Sequence, residues 1–377
     1  MLLPPGLTPI EAAAGIPFGG PPAPRRGSAG VVPDVFAALV ASFAEPVRSG
    51  PCAVWLSGDD GTAVVMAAAV EAARRAGADP PIAVTPWHAS VPADPFAETL
   101  VRHLGIEDWR RPEIKDELGL LGPVARDALR RHGPMFPSIA HLFVPLLREA
   151  RGGTLLSGHA LNEWWVLWRG AAVARALRRR RFRRSDLQAL AALAPLPVRR
   201  RLATRIAAGM DIPYLLPGPR AEATRLAVDD LITTPLGADA AARLAGARAC
   251  IPDALGIYDR LAADHDARFV FALAAPPVVD AMAAQFGRLG CSGPGQWRRR
   301  VAPSLPPRTV PAVSPSYAHI WKDADTRAFI EAWDGSGVDV DLVDPEALRA
   351  AWRRGDWRSG ILLQSAWLYA DRRAGAR

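Results

Sequence analysis

The segment Ser-Gly-Asp-Asp-Gly-Thr, residues 57–62, has the side chains whose types and spacing come closest to a recognisable binding chemistry. Glycines between an apolar run and a helix let backbone amides close on an anion, and the helix N-terminus adds partial positive charge. The carboxylates Asp59 and Asp60 oppose this, because one charge pair at about 4 Å costs roughly 4 kcal/mol at an effective dielectric near 20. The segment has the outline of a phosphate loop, but the repulsion would cancel most of a weak nucleotide affinity unless a metal ion at the loop reversed its sign.

Three histidines and two aromatic groups are further candidates. His88, His141 and His159 fall in or near predicted loops, where they are either ligands and bases of a pocket or ordinary core and surface histidines. The tryptophans within 164–168 have helical spacing, which favours packing between sheet and helices over a platform for an aromatic ligand. The alternating aromatic residues of 317–321 fit a pocket lining and core packing equally well.

Strands alternating with helices must position these residues. The run 52–56 is typical of a buried strand, and the helix that follows the loop ends at Gly77. Short apolar runs at 82–85 and 153–157 predict two further strands, with helical segments between them. We predict an α/β fold with a doubly wound parallel sheet, in which ligands bind beyond the carboxyl ends of the strands.

The chain divides into three regions by composition. Residues 1–30 are rich in proline and glycine and predict an irregular lead-in. Residues 31–170 contain the α/β core, beginning with a helix for which Asp34 is the predicted N-cap. Residues 171–377 are dominated by Ala/Leu/Arg segments with helical periodicity, which predict a large helical extension of the same domain.

Composition limits the class of protein. The 377 residues are 50% hydrophobic, enough for a sizeable core, and no run approaches the roughly 20 apolar residues of a membrane helix, so we expect no membrane partner and a cytoplasmic location. The formal charge of +8 comes from arginine, since Lys115 and Lys322 are the only lysines. The arginine cluster at 174–186 is more typical of a solvated helix face than of a nucleic-acid site, because no nucleic-acid-binding motif surrounds it.

The number and spacing of the cysteines bear on disulfides and metal sites. Their odd number and wide spacing exclude a disulfide framework and a CxxC metal site, and predict buried thiols. They are Cys52, Cys250 and Cys291.

The order of these pieces resembles a known family. Strand 52–56, the loop, "ETLVRHLGIEDW" at 98–109 and "GTLLSGHALNEWW" at 153–165 are similar to the synthetase domain of asparagine synthetase and its relatives, the β-lactam synthetases, the lasso-peptide cyclases and short actinobacterial-type members. Later stretches, at 266–274 and 333–368, resemble the short members too. The resemblance implies an N-type ATP-pyrophosphatase fold, of the adenine nucleotide alpha hydrolase-like kind, which adenylates a carboxylate with ATP and Mg²⁺ before an amine forms the amide.

The family pattern assigns roles to residues of this chain. Asp60 and Glu163 match the Mg²⁺ ligands, Glu163 also has a catalytic role, and Lys322 is the nearest lysine to the catalytic position. The matched nucleotide-binding positions are Ser57, Gly58, Asp59, Asp60, Gly61, Thr62, Val84, Ser157 and Gly158.

Three departures from the pattern surround one pocket. The loop is one residue short and has Asp59 in place of a glycine or the variable residue. The second motif has become "SGHALNE", with Asn162 at an aspartate position and no charge there for a cation. Arg308 matches the family arginine, but no lysine lies at 310–314, and Lys322 comes about ten residues after the usual position.

These departures predict weak or lost adenylation. The hypotheses are an amide-forming ligase with an unusual site, acting on a carboxylate or peptide substrate in natural-product or peptide modification, and a pseudoenzyme that binds a partner synthetase or precursor peptide. A basic nucleic-acid-binding protein is the remote alternative. The residues favour loss of catalysis.

Overall fold

In the described parts of the chain, five short strands form one parallel sheet in the order β3-β2-β1-β4-β5. They are β1 (Cys52–Trp55), β2 (Ile82–Val84), β3 (Trp109–Arg110), β4 (Thr154–Ser157) and β5 (Arg268–Phe271). The computed structural model describes residues 1–19, 33–87, 94–114, 116–158, 164–165, 167–179, 191–247, 250–308 and 323–375. The prediction of an α/β fold with a parallel sheet is confirmed.

Alternating side chains of each strand enter two different cores. Ala53 and Trp55 of β1 face one hydrophobic cluster, and Cys52 and Val54 face the other. Strand residues buried on both faces are typical of a sheet covered by helices on each side. The sheet is therefore doubly wound, as the sequence predicts.

The described residues form sixteen α-helices. In chain order they are α1 (Pro9–Ala14), α2 (Val35–Phe43), α3 (Asp60–Ala76), α4 (Pro95–Leu104), α5 (Pro123–His132), α6 (Val144–Glu149), α7 (Ala171–Arg179), α8 (Leu196–Ala208), α9 (Pro217–Thr233), α10 (Ala238–Ala247), α11 (Cys250–Ala263), α12 (Pro276–Phe286), α13 (Pro294–Val301), α14 (Ala324–Ala332), α15 (Pro345–Arg354) and α16 (Gly360–Gly375). None of them is both long and apolar enough to cross a membrane.

Capping side chains begin the helices nearest the loop. Asp34 caps α2, Asp59 caps α3 and Asp94 caps α4, each by accepting a backbone N–H of the first turn. Gly77 ends α3 in the left-handed conformation, with φ of 60°. The predicted start of α2 and the predicted end of α3 are therefore confirmed. Helix α3 begins at Asp60, inside the segment 57–62 that the sequence predicts to be a loop, because Asp59 caps it there.

Two elements differ from the sequence expectation. Arg268–Phe271 lies in the region predicted to be helical, but it extends the sheet as β5, because its aromatic and β-branched side chains pack with Phe143 and Tyr258. The irregular lead-in expected at 1–30 contains α1, which a capping box between Thr8 and Glu11 begins.

Two of the three cysteines are buried free thiols, as predicted. They are Cys52 and Cys291, and burial raises the pKa of Cys52 to about 12. The side chain of Cys250 lies outside the described residues.

His141 is a core residue. It lies in the 3-10 turn Ala140–Phe143 with no exposed surface, and its Nε2 is 3.1 Å from the carbonyl oxygen of Leu118. Burial lowers the pKa of this imidazole to about 4, because removal from water disfavours the charged form. Of the two alternatives for this histidine, the structure supports the core one.

We expect the buried His141 to make the protein less stable as pH falls. An imidazole whose folded pKa lies near 4 protonates first in the unfolded chain, so stability is lost between about pH 6.5 and 4, by up to about 3 kcal/mol. Denaturant unfolding across this range should show a flatter pH dependence for His141→Gln than for the wild type. His103→Gln, at an exposed position of α4, is the control and should keep the wild-type slope. Equal slopes for all three proteins would contradict the assignment.

Candidate functional site

The loop 57–62 lies where the strand order of the sheet reverses. From β1 the chain proceeds to β2 and β3 on one side, whereas β4 and β5 lie on the other. Ligands of open parallel sheets bind at such a switch point, beyond the carboxyl ends of the two central strands. Ser57 follows β1 and Gly158 follows β4, so the predicted loop occupies the position where a ligand site is expected.

The carboxylate of Asp59 occupies the donors at the start of α3. Its Oδ1 accepts the Thr62 backbone N–H at 2.8 Å, and its Oδ2 accepts the Ser57 hydroxyl at 2.6 Å. The hydroxyls of Ser57 and Thr62 are also within 3.2 Å of each other. Two groups that could donate to a bound phosphate thus donate to an anion that the loop itself supplies.

Two glycines allow the loops after β1 and β4 to touch through their backbones. A Cβ on Gly61 would lie 2.7 Å from the carbonyl oxygen of Gly158, and a Cβ on Gly158 would lie 2.5 Å from the Thr62 nitrogen. Both distances are too short for any side chain. Glycine is therefore required at both positions by the close packing of the two loops.

Asp60 forms an ion pair with a buried arginine. Its Oδ1 accepts from Nε of Arg298 at 2.7 Å, and the two side chains are 15% and 1% exposed. Arg298 lies on α13, and its Nη1 donates to the carbonyl oxygen of Pro306 at 2.6 Å. The carboxylate predicted as a metal ligand is therefore engaged by a guanidinium from the C-terminal half of the chain.

A second arginine joins the loop to the start of α4. Arg308 donates through Nη1 to the carbonyl oxygen of Gly58 and through Nη2 to Oδ2 of Asp94 at 2.5 Å. The guanidinium carbons of Arg298 and Arg308 lie 5.3 and 4.9 Å from the ring centre of Phe96, within cation–π range. One aromatic ring therefore helps to hold both cations beside the loop.

Opposite charges are nearly balanced around the loop. The carboxylates of Asp59, Asp60 and Asp94 face the guanidiniums of Arg298 and Arg308, and the N-termini of α3 and α4 each contribute about half a positive charge. The described part of the site is electrostatically complete without a bound anion.

The other predicted nucleotide-binding residues belong to the strand ends. Val84 is fully buried, and its carbonyl oxygen accepts the Leu56 N–H at 2.9 Å as part of the sheet. Ser157 is fully buried at the end of β4, where it pairs with Phe271 of β5, and Gly158 follows it. The structure thus brings every predicted nucleotide-binding residue to the carboxyl edge of the three central strands.

Several predicted site residues lie outside the described part of the chain. They are Glu163, Lys322, His88, His159, Asn162, Tyr317, His319 and Trp321. Among the residues that the structure does describe, no group of three or more His, Cys, Asp or Glu side chains is arranged to hold a metal ion.

The tryptophan group is part of the core. Trp164 and Trp168 are 1% and 2% exposed and stack at 6.3 Å, and their indole N–H groups donate to the carbonyl oxygens of Ala238 and Leu236. Trp164 also packs on Phe286 of α12. These contacts confirm that the group joins the sheet to the helical half, rather than forming a stacking platform.

Sequence reasoning did not find Arg298 or Phe96. Both lie on segments without any motif, and the partner of Arg298 is 238 residues away in the chain. Arg308 was placed near the pocket only by the family pattern. The helix-starting Asp94 was the one local signal, since an aspartate before Pro-Phe is a common N-cap.

Neither the protein-family models nor the curated proteins contain a match to this chain.

Removing the Asp60 carboxylate should destabilise the fold. Asp60→Ala leaves the guanidinium of Arg298 buried and unpaired, which costs about 3–5 kcal/mol, and the double variant Asp60→Ala/Arg298→Met should recover much of that loss. The measurement is the free energy of unfolding by denaturant of the wild type, the single variant and the double variant. Glu98→Ala, which breaks the exposed pair with Arg102 on α4, is the control and should cost at most about 1 kcal/mol. If Asp60→Ala costs no more than this control, Asp60 is not held by a structural ion pair.

Proposed function

We propose that this chain is an asparagine-synthetase-like protein, derived from ATP-dependent amide-forming ligases, that adenylates weakly or not at all and acts as a non-catalytic binding partner. One observation carries the proposal. The carboxylate of Asp59 accepts both the Thr62 amide and the Ser57 hydroxyl, the donors that a phosphate loop offers to its ligand.

A phosphate at this loop would have to displace that carboxylate or lie beside it. Beside it, each pair of like charges about 4 Å apart costs roughly 4 kcal/mol at an effective dielectric near 20. Displacing it removes the N-cap of α3, which is worth about 1 kcal/mol, and leaves Asp59 without the donors it now has. Either route subtracts from the affinity for ATP.

The described residues do not fit Mg²⁺ at the position that the family pattern implies. Asp60 is the one predicted ligand among them, and Arg298 donates to its Oδ1 from a position that is 1% exposed. A divalent cation at the same carboxylate would be repelled by this fixed guanidinium.

An active ligase is the second candidate, and the position of the loop favours it. The loop lies at the switch point of the sheet, and its hydroxyls of Ser57 and Thr62 remain suitable phosphate donors once Asp59 moves away. In this case the protein would activate a carboxylate or peptide substrate for amide formation, as in natural-product or peptide modification.

Titration with Mg-ATP separates the two candidates. For the wild-type protein we expect no heat of binding at micromolar ATP in calorimetry and no ATP-dependent release of pyrophosphate, because the loop already holds an anion. An intact family member serves as the positive control for both assays. A dissociation constant in the low micromolar range would overturn the non-catalytic proposal in favour of the ligase.

Asp59→Asn tests whether the carboxylate is what excludes phosphate. Asparagine caps helices about as well as aspartate, so stability should change by less than about 1 kcal/mol while the negative charge is lost. We expect the affinity for inorganic pyrophosphate, measured by calorimetry, to rise at least about tenfold over the wild type. Asp34→Asn makes the same change at the N-cap of α2 and should leave that affinity unaltered. Equal affinities in wild type and Asp59→Asn would show that Asp59 does not control the loop.

A further inference from the structure

Helix α8 packs on the rest of the protein through its small residues. Ala203 and Ala207 lie one turn apart and are 5% and 3% exposed, and they contact Ala227 and Val228 of α9. This seam of short side chains brings the two helices close together but buries little apolar area.

Most large aliphatic side chains of α8 and of the residues before it are exposed instead, whereas Leu202 is half-buried. Leu193, Leu196, Val198 and Ile206 are 55%, 49%, 45% and 59% exposed. An amphipathic helix normally turns such side chains toward the core, because burying each is worth about 1.5–3 kcal/mol. The arrangement in α8 is the reverse, so apolar area remains for a second surface to cover.

Arginine is the only charged residue type on α8. Arg199 donates to the carbonyl oxygen of Ile232, and Arg200 lies 3.6 Å from Asp229, both on α9. Arg201 and Arg205 are exposed and form no ion pair among the described residues. Like charges one turn apart repel each other, so these two guanidiniums favour carboxylates from outside the chain.

Helical spacing places exposed aliphatic and arginine side chains on the same side of α8. Val198, Arg201 and Arg205 follow each other at intervals of three and four residues, opposite Ala203 and Ala207. We use "the outer face of α8" for Val198, Arg201, Arg205 and the flanking Ile206, with Leu193 and Leu196 at its N-terminal end.

We propose that the outer face of α8 binds an acidic amphipathic helix of a partner protein. Carboxylates of that helix would pair with Arg201 and Arg205, and its aliphatic side chains would cover Val198 and Ile206. Val198, Leu202 and Ile206 form one short aliphatic row beside Arg201 and Arg205, and Leu202 is half-buried, so the exposed apolar strip is narrower than the apolar side that a bilayer requires. Phosphate contacts alone would give no use to the exposed aliphatic groups, which disfavours nucleic acid.

This inference does not depend on the proposed function, because none of its residues belongs to the loop at the switch point. A chain that adenylates its substrate and a chain that does not can both use α8 for a partner. Failure of the peptide to bind would therefore contradict only this inference, and tight binding of ATP would contradict only the proposed function.

The test uses a synthetic helical peptide of about four turns, with leucines on one side and glutamates beside them. Fluorescence anisotropy should show micromolar binding to the full-length protein. Arg201→Glu/Arg205→Glu and, separately, Val198→Ser/Ile206→Ser should each weaken binding at least about tenfold. Arg48→Glu/Arg151→Glu changes the net charge equally at exposed positions elsewhere and should bind like the wild type.

A charge exchange makes the test specific to this pairing. A peptide with lysine in place of glutamate should bind Arg201→Glu/Arg205→Glu better than it binds the wild type. Equal binding of a sequence-scrambled acidic peptide would overturn the proposal, since it would indicate unspecific attraction. The proposal also fails if the acidic peptide does not bind while anionic vesicles or a single-stranded oligonucleotide bind through the same residues, or if the face mediates self-association of the chain.

Discussion

The contact of the Asp59 carboxylate with the first turn of α3 is the constraint around which the centre of the molecule is arranged. A helix that starts at the carboxyl end of a central strand leaves backbone donors and partial positive charge at one point. Phosphate-binding proteins leave this point to their ligand. Here the Thr62 amide and the Ser57 hydroxyl are bonded within the loop, so these two donors have an anionic acceptor in the free protein.

Neutralisation of the loop carboxylates also links distant parts of the chain. A loop with two consecutive carboxylates would repel itself, and Arg298 on α13 neutralises the second of them from a buried position. Arg308 binds the loop carbonyl and Asp94 at once, which ties β1 to the start of α4. Because both arginines come from the C-terminal half, the loop reaches this geometry only after the helical half has packed against the sheet.

The features that could be predicted are those that neighbouring residues in the sequence specify. The strand, loop and helix at 52–77 were predictable, because an apolar run, glycines, an N-cap and a C-cap all lie within that segment. β5 was not, since three apolar residues after Arg268 do not distinguish a strand from a helix, and only pairing with β4 decides it. Arg298 was beyond sequence reasoning for a related reason: a buried arginine is specified by its partner, and here that partner lies 238 residues away.

Donors, charges and apolar groups that have no partner within a protein indicate where it binds other molecules. An enzyme site commonly holds donors and charges that only the ligand or transition state completes. At the loop the Thr62 amide, the Ser57 hydroxyl and two guanidiniums already pair with the carboxylates of Asp59, Asp60 and Asp94. On α8, in contrast, packing that places alanines inside leaves Arg201, Arg205, Val198 and Ile206 exposed. Among the described residues, exposed apolar area and unpaired guanidiniums therefore lie together on that helix, and this is the physical basis for proposing a protein partner there.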